Sequence, residues 1–294
     1  MLEPAPTPVP SVKQRRWEGV TVGSLVVGYA GYYVCRSNFS VATPLLLDAF
    51  GPHGLDKEMI GAIVSAGVLF YAVGKLFNGI LCDFVGGRRI FLAGMFGSVA
   101  ATVFFGVSVG VGVLAAAWSL NRLIQSMGWG ALVKITSNWF SYKRYGRIMG
   151  IMSLSYLFGD ALARLFLGRL IDAGLGWRGV FFAAAGTLAL IALVDVFTIK
   201  SRSADVGLPD AEINPKNLYG AAGDAERPRN LKSLLMPFLS SPAFWLVAFM
   251  SLGLTLIREA FNFWTPTYLV EVGRLSVGEA AQYSLLFPFF SERR

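Results

Sequence analysis

The chain has 294 residues, of which 54% are hydrophobic and only 15% charged, and its mean hydropathy is +0.56. A soluble domain carries about 25% charged residues, so this much apolar surface excludes a single globular core in water and makes lipid the surrounding medium. The net charge of +8 and pI of about 9.6 do not call for nucleic acid, because the basic residues cluster in loops, in the pattern that sets membrane orientation.

In chain order, residues 1–18 come first, proline-rich from Pro4 to Pro10, with no visible secretory signal. They are predicted to form a disordered cytoplasmic tail. A spanning helix needs about 20 mostly apolar residues, and seven stretches meet that length: 19–47, 59–82, 90–107, 111–139, 148–171, 179–199 and 243–270. An eighth starts near Ala280 and stops at Ser291, before Arg293 and Arg294, too short to cross. The fold class is therefore an all-α polytopic membrane protein. Residues 19–199 form a six-helix bundle, 200–242 a cytoplasmic linker with Pro209, Pro215 and Pro228, and 243–294 the start of a second, incomplete bundle.

Lys and Arg set the orientation. One set of loops holds Lys13, Arg15, Arg16, Arg88, Arg89, Lys143, Arg144, Arg147, Lys200, Arg202, Lys216, Arg227, Arg229 and Lys232. The opposite set holds Lys57, Arg178 and Arg274. This asymmetry puts the N-terminus and the linker in the cytoplasm, in a multi-pass protein of the plasma (cytoplasmic, or inner) membrane. Cys35 and Cys82 lie in apolar stretches without ligand spacing and read as small buried hydrophobes. His53 is the single histidine, so neither a His-based metal site nor a catalytic triad has support. Nucleotide-binding glycine loops are absent. No enzyme activity, cofactor or metal is expected.

An internal repeat carries the chemistry. Helix 1 reads Arg36-Ser-Asn-Phe39-Ser-Val-Ala-Thr43-Pro44, and helix 7 reads Arg258-Glu-Ala-Phe261-Asn-Phe-Trp-Thr265-Pro266, both fitting R-x-x-F-x-x-x-T-P at an offset of 222 residues. Both helices run outward from the cytoplasm. A parallel six-helix repeat about an axis along the membrane normal resembles the plan of the major facilitator superfamily. At roughly 1.5 Å per residue, both arginines sit roughly 22–26 Å from the cytoplasmic side, and equivalent helices face each other, so both guanidiniums point into one cavity. An arginine at that depth costs from about 2.5 to more than about 10 kcal/mol, and two facing cations repel unless an anion lies between them. Guanidinium is always charged, and its planar fork matches phosphate or carboxylate oxygens. The bland alternative pairs Arg258 with Glu259, but adjacent helical residues point about 100° apart, so that pair is expected to be poor. Lys75 lies deep in helix 2 with no acid nearby in sequence, and Tyr29, Tyr33 and Arg36 share one face of helix 1.

At these residues the sequence resembles the organophosphate:inorganic phosphate antiporters, over about residues 20–290. The resemblance lies in the Y-x-x-Y-Y-x-x-R-x-N-F stretch ending at Phe39, the Tyr71/Lys75 pair, Met127-Gly-Trp129 and the block from Arg258 to Leu269. It continues in Asn138-Trp-Phe-Ser and the Arg144-Tyr-Gly146 turn. It implies a major facilitator fold in which Arg36 and Arg258 grip a phosphate while Tyr29, Tyr33, Tyr71, Lys75 and Trp129 line or support the pocket. Gly79-Ile-Leu81-Cys-Asp83-Phe-Val-Gly86-Gly-Arg88-Arg89 is similar to the superfamily's loop between helices 2 and 3. There the glycines permit a tight turn, Asp83 bonds across the bundle interface, and the arginines stay in water.

Three positions depart from the family. Tyr156 stands where its glycerol-phosphate and hexose-phosphate carriers place a histidine, Ser153 where they place an asparagine, and Thr255 replaces a tyrosine. Tyr156 can still hydrogen-bond phosphate, but it does not follow phosphate's protonation near neutral pH. Asp160 and Arg164, an i, i+4 pair in helix 5, read either as a self-neutralised interior pair or as substrate contacts, and Arg122 as an interior structural charge or a coupling residue.

The expected function is secondary active exchange of an organic phosphate, a sugar phosphate or glycerol phosphate, for inorganic phosphate by alternating access, in a monomer. Alternatives are a transporter-like sensor of external sugar phosphate and a carrier of another organic anion. Because the chain stops inside helix 8, it is expected to be a truncated, inactive product.

Overall fold

A computed structural model describes residues 11–212, 236 and 239–286, and all regular structure among them is helical. The helices are α1 (Val12–Phe50), α2 (Lys57–Val85), α3 (Gly87–Gly106), α4 (Val111–Gln125), α5 (Met127–Trp139), α6 (Tyr142–Asp172), α7 (Trp177–Thr198), α8 (Pro242–Glu271) and α9 (Val277–Tyr283). Every predicted stretch is helical where described, and the eighth begins at Val277 rather than Ala280.

α1 is the axis of the molecule and touches α3 through α9. Its helix begins where Ser11 Oγ accepts from the Gln14 amide at 3.1 Å. Residues 12–18 therefore belong to the helix rather than to a tail, and residues 1–10 of the predicted tail lie outside the described residues. Five helices, α2, α3, α6, α7 and α8, are long and apolar enough to cross a membrane. α1 falls outside that set although it is the longest, because tyrosines, Ser37, Asn38, Ser40 and Arg36 dilute its hydropathy. Those are the residues it turns inward.

The fourth predicted span is two helices. At Ser126 the hydroxyl donates to the Leu123 carbonyl at 2.7 Å and accepts from Asn78 Nδ2 at 2.7 Å. A side chain that bonds its own backbone competes with the helical ladder, and the chain restarts as α5. The α2–α3 turn is made at Gly86, whose φ of +94° lies in the region that disfavours a Cβ.

Apolar packing forms two clusters. One gathers Leu25, Tyr32, Phe91, Met95, Ile135, Met152 and Leu188 with Cys35 and Cys82, both buried. The other gathers Phe39, Phe50, Ile60, Phe105, Trp118, Trp177 and Phe181 with Phe263 of α8. Phe105 and Phe181 stack at 4.1 Å. Outward faces keep large apolar side chains exposed, Leu190 and Phe197 at 68% and 74%, as lipid contact requires.

α8 leans away from the bundle along its first half. Leu246, Phe249 and Leu254 are 63%, 64% and 67% exposed, whereas Phe263 and Thr267 are 8% and 3% exposed. Its far end is tied down: Ser40 Oγ donates to the Phe263 carbonyl at 2.6 Å, and Lys57 pairs with Glu271 at 2.6 Å. α9 closes the same end against α6 at Gly168, where a Cβ would lie 2.7 Å from the Gly278 carbonyl. The described parts of the two halves therefore meet at the end carrying Lys57 and are parted at the end carrying the basic loops. The stretch following α7 lies against the basic-loop end, where Asn138 and Trp139 donate to the Ser201 and Lys200 carbonyls at 3.2 and 3.0 Å. Residues 213–235 of the predicted linker lie outside the described residues.

Candidate functional site

Between α1, α2, α4, α5, α6 and α8, at mid-height, lies a cavity of about 360 Å³. Each helix contributes at helical spacing: Tyr29, Tyr33 and Arg36 from α1, Tyr71 and Lys75 from α2, Arg122 from α4 and Trp129 from α5. Ser153 and Tyr156 come from α6, and Thr255, Arg258 and Glu259 from α8. The structure thus brings together all eight residues expected to line a substrate pocket. The volume falls within the ~300–1,000 Å³ of small-molecule sites.

The cations are gathered over one ring. The Arg36 guanidinium lies 5.0 Å from the centroid of Tyr71, Arg122 lies 4.7 Å from it and the Lys75 ammonium 5.0 Å. Arg36 is also 5.2 Å from the Tyr33 centroid. The negative faces of aromatic rings attract cations, so Tyr71 holds three charges that would otherwise repel. Tyr29 braces this wall, packing on Tyr33 at 5.8 Å and Trp129 at 5.3 Å, while Tyr33 packs on Tyr156 at 6.4 Å.

One acid sits among them. Glu259 is 3.5 Å from Arg36, 3.7 Å from Arg258 and 4.0 Å from Arg122. The Arg258–Glu259 pair is loose, as expected, at 3.7 Å, yet within ion-pair reach. Adjacent Cα–Cβ vectors do diverge, but the guanidinium arm is long enough to fold back, and the carboxylate is shared with cations from α1 and α4. Arg122, expected to be an interior structural charge or a coupling residue, lines the cavity wall. Glu259 was missed as a site residue, although an intramembrane carboxylate is itself a functional signal. The lining carries four cations against this one carboxylate, which suits an anion.

A smaller cavity of about 40 Å³ adjoins the first toward the closed end, beside Ser37, Ser40, Asp160, Arg164 and Asn262. Asp160 and Arg164 do pair, at 3.0 Å, and Ser37 donates to Asp160. The pair is not merely self-neutralised. Arg164 also donates to the Asn262 carbonyl and side-chain oxygen, both at 2.9 Å, and to Ser284 Oγ at 3.0 Å. Pro266 explains the free acceptor: proline has no N–H for the carbonyl four residues back, which is that of Asn262.

The loop between α2 and α3 behaves differently from expectation in two respects. Asp83 bonds Lys134 of α5 at 2.8 Å, within its own bundle rather than across the interface. Arg89 is exposed, but Arg88 donates to carbonyls at the C-terminal end of α7, Val196 at 2.6 Å and the capping Ile199 at 2.7 Å. An orphaned helix C-terminus offers such carbonyls. Gly79 faces open space, with nothing within 4 Å of an added Cβ. At the start of α6, Arg144 grips the Glu18 carboxylate with two bonds of 3.0 and 2.8 Å. No cluster of metal-ligating side chains occurs among the described residues.

Membrane-length helices around a polar, mid-height cavity define a multi-pass membrane protein. The chain belongs to the Major Facilitator Superfamily, whose family model matches residues 25–291. It is 26% identical to the "Probable hexose phosphate transport protein" of Chlamydia muridarum, over 87% of this chain and 58% of that protein. It is also 26% identical to the glycerol-3-phosphate transporter of Bacillus subtilis, over 90% of this chain and 60% of that protein. The membrane sensor protein UhpC of Escherichia coli is 25% identical, over 88% of this chain and 58% of the sensor. The chain thus spans roughly three-fifths of the curated relatives it matches. Among solved structures, an inward-facing, unoccupied bacterial homologue of the human lysosomal transporter Spinster shares the fold. Its TM-score is 0.72 at 20% identity, over 92% of this chain and 60% of that one.

Proposed function

We propose that the cavity binds the phosphate group of an organic phosphate, a sugar phosphate or glycerol phosphate, in a secondary carrier that exchanges it for inorganic phosphate by alternating access. The observation that carries this reading is the meeting of Arg36 and Arg258, equivalent positions of the repeat, in one cavity with an excess of cations. A phosphate bridging them would draw α1 and α8 together and so couple occupancy to closure of the parted end. Relatives named for hexose phosphate and glycerol-3-phosphate transport support the same solute class. The excess of Lys and Arg at the parted end supports a cytoplasmic N-terminus, in a protein of the plasma (inner) membrane built as a six-helix bundle over 19–199 followed by a linker over 200–242. The parted end then faces inward.

The test is binding of inorganic phosphate to the purified chain in detergent. Arg36→Lys keeps the charge but loses the bidentate fork, and its affinity is expected to fall at least about tenfold, the loss of one charge-assisted hydrogen bond. Unchanged affinity in that variant would refute the site. A second reading, a sensor of external sugar phosphate, is favoured by the likeness to UhpC. A histidine kinase and response regulator encoded beside the gene would support the sensor, and their absence the carrier.

A further inference from the structure

We propose that Glu259 is a tethered competitor that sets which anions the cavity accepts. Its carboxylate holds the solute's place among the guanidiniums, and a phosphate binds by displacing it. This rests on the anion-binding reading of the cavity.

Four observations lead there. The carboxylate faces cations from three helices, Arg36 of α1, Arg122 of α4 and Arg258 of its own α8, so it occupies the junction at which a bridging oxyanion would sit. Its contacts, at 3.5, 4.0 and 3.7 Å, are longer than the ~2.7–2.9 Å of a charge-assisted hydrogen bond. They attract without locking, as a displaceable group must. Its side chain is 27% exposed to the cavity while Arg122 behind it is 4% exposed, so it can swing aside where the arginine cannot. The repeat is also asymmetric here. At the offset of 222 the counterpart of Glu259 is Ser37, which bonds Asp160, and Asp160 is itself neutralised by Arg164. Glu259 is thus the acid left facing the candidate binding cations.

Selectivity follows from charge. A monocarboxylate replaces one carboxylate with another and gains little. A phosphate dianion brings twice the charge and three or more oxygens to the same cations, and it can share them with the displaced Glu259, because four cations line the cavity. The competitor therefore rejects small monoanions and passes phosphates.

The experiment titrates purified chain with inorganic phosphate, at a pH where it is the dianion, with and without acetate. Wild-type chain is expected to bind phosphate and to ignore millimolar acetate. Glu259→Gln, equal in size and uncharged, is expected to bind phosphate at least tenfold more tightly and to lose part of that binding to acetate, which now fills the vacated place. Unchanged phosphate affinity without acetate competition would overturn the proposal while leaving the anion site intact. Weaker phosphate binding would also overturn it, making Glu259 a group that positions the arginines. Failure of wild-type chain itself to bind phosphate would instead remove the reading on which the proposal stands. Should Glu259→Gln not fold, Glu259→Asp, one methylene shorter, is expected to shift both quantities in the same direction by less, and no shift there counts against the competitor.

Discussion

At Arg164, groups from three segments converge on one guanidinium that is 1% exposed: Asp160 of its own helix, Asn262 of α8, and Ser284 just past α9. Removing one partner of a buried ion pair leaves an uncompensated charge and costs about 3–5 kcal/mol, whereas replacing both by apolar groups of similar size is often neutral. Arg164→Met is therefore expected to lower the melting temperature sharply, and Asp160→Leu combined with Arg164→Met to recover much of the loss. A double variant as unstable as the single one would show that the ties to Asn262 and Ser284, not the buried charge, dominate. This residue also shows where sequence reading stops. The i, i+4 pairing was legible from spacing alone, but the reach into α8 depends on a carbonyl that Pro266 leaves free, and that is a tertiary fact. Glu259 failed for a related reason: the angle between neighbouring Cβ atoms was legible, while the reach of an arginine side chain toward a shared acid was not.

At the scale of the element, long apolar stretches located the helices because lipid offers no partner to backbone groups, so each crossing must be helical. The break at Ser126 was illegible because the Asn78 side chain that holds the Ser126 hydroxyl in place against its own backbone comes from α2. The near contact of α6 and α9 at Gly168 is another tertiary constraint. Gly168→Ala would place a Cβ 2.7 Å from the Gly278 carbonyl and 2.9 Å from Gln282. Overpacking of this kind costs about 1–3 kcal/mol, so this variant is expected to loosen the closed end and lower the melting temperature, while Gly79→Ala, facing open space, leaves it unchanged. Equal melting of the two would remove the steric account.

At the scale of the whole molecule, the described halves form a wedge, shut where Lys57 meets Glu271 and open where the basic loops lie. The repeat made the meeting of Arg36 and Arg258 legible, because equivalent positions of a parallel repeat face one axis. The direction of the wedge was not legible, since it depends on which end of α8 finds partners. The same motif also behaves unequally in its two copies. Phe39 is 2% exposed in an aromatic cluster with Phe105, Trp118 and Phe263, while Phe261, its sequence counterpart, is 60% exposed. What the copies do share is the threonine before the proline, which bonds the carbonyl four residues back in each case, Thr43 to Phe39 and Thr265 to Phe261.

The burial of the chain's two thiols has a practical consequence. Cys35 and Cys82 are 0% and 3% exposed, and enclosed thiols react slowly with aqueous reagents, so the natural chain already serves as a silent background for thiol labelling. A cysteine placed at Thr255, in the wall of the cavity, is expected to react quickly with a charged, membrane-impermeant thiol reagent and to be shielded by added phosphate. One placed at Thr267, 3% exposed at the shut end, is expected to stay unlabelled. Fast labelling at both positions would mean that the wedge is open at its two ends. Labelling at neither would mean that the halves rest closed over an occupied cavity.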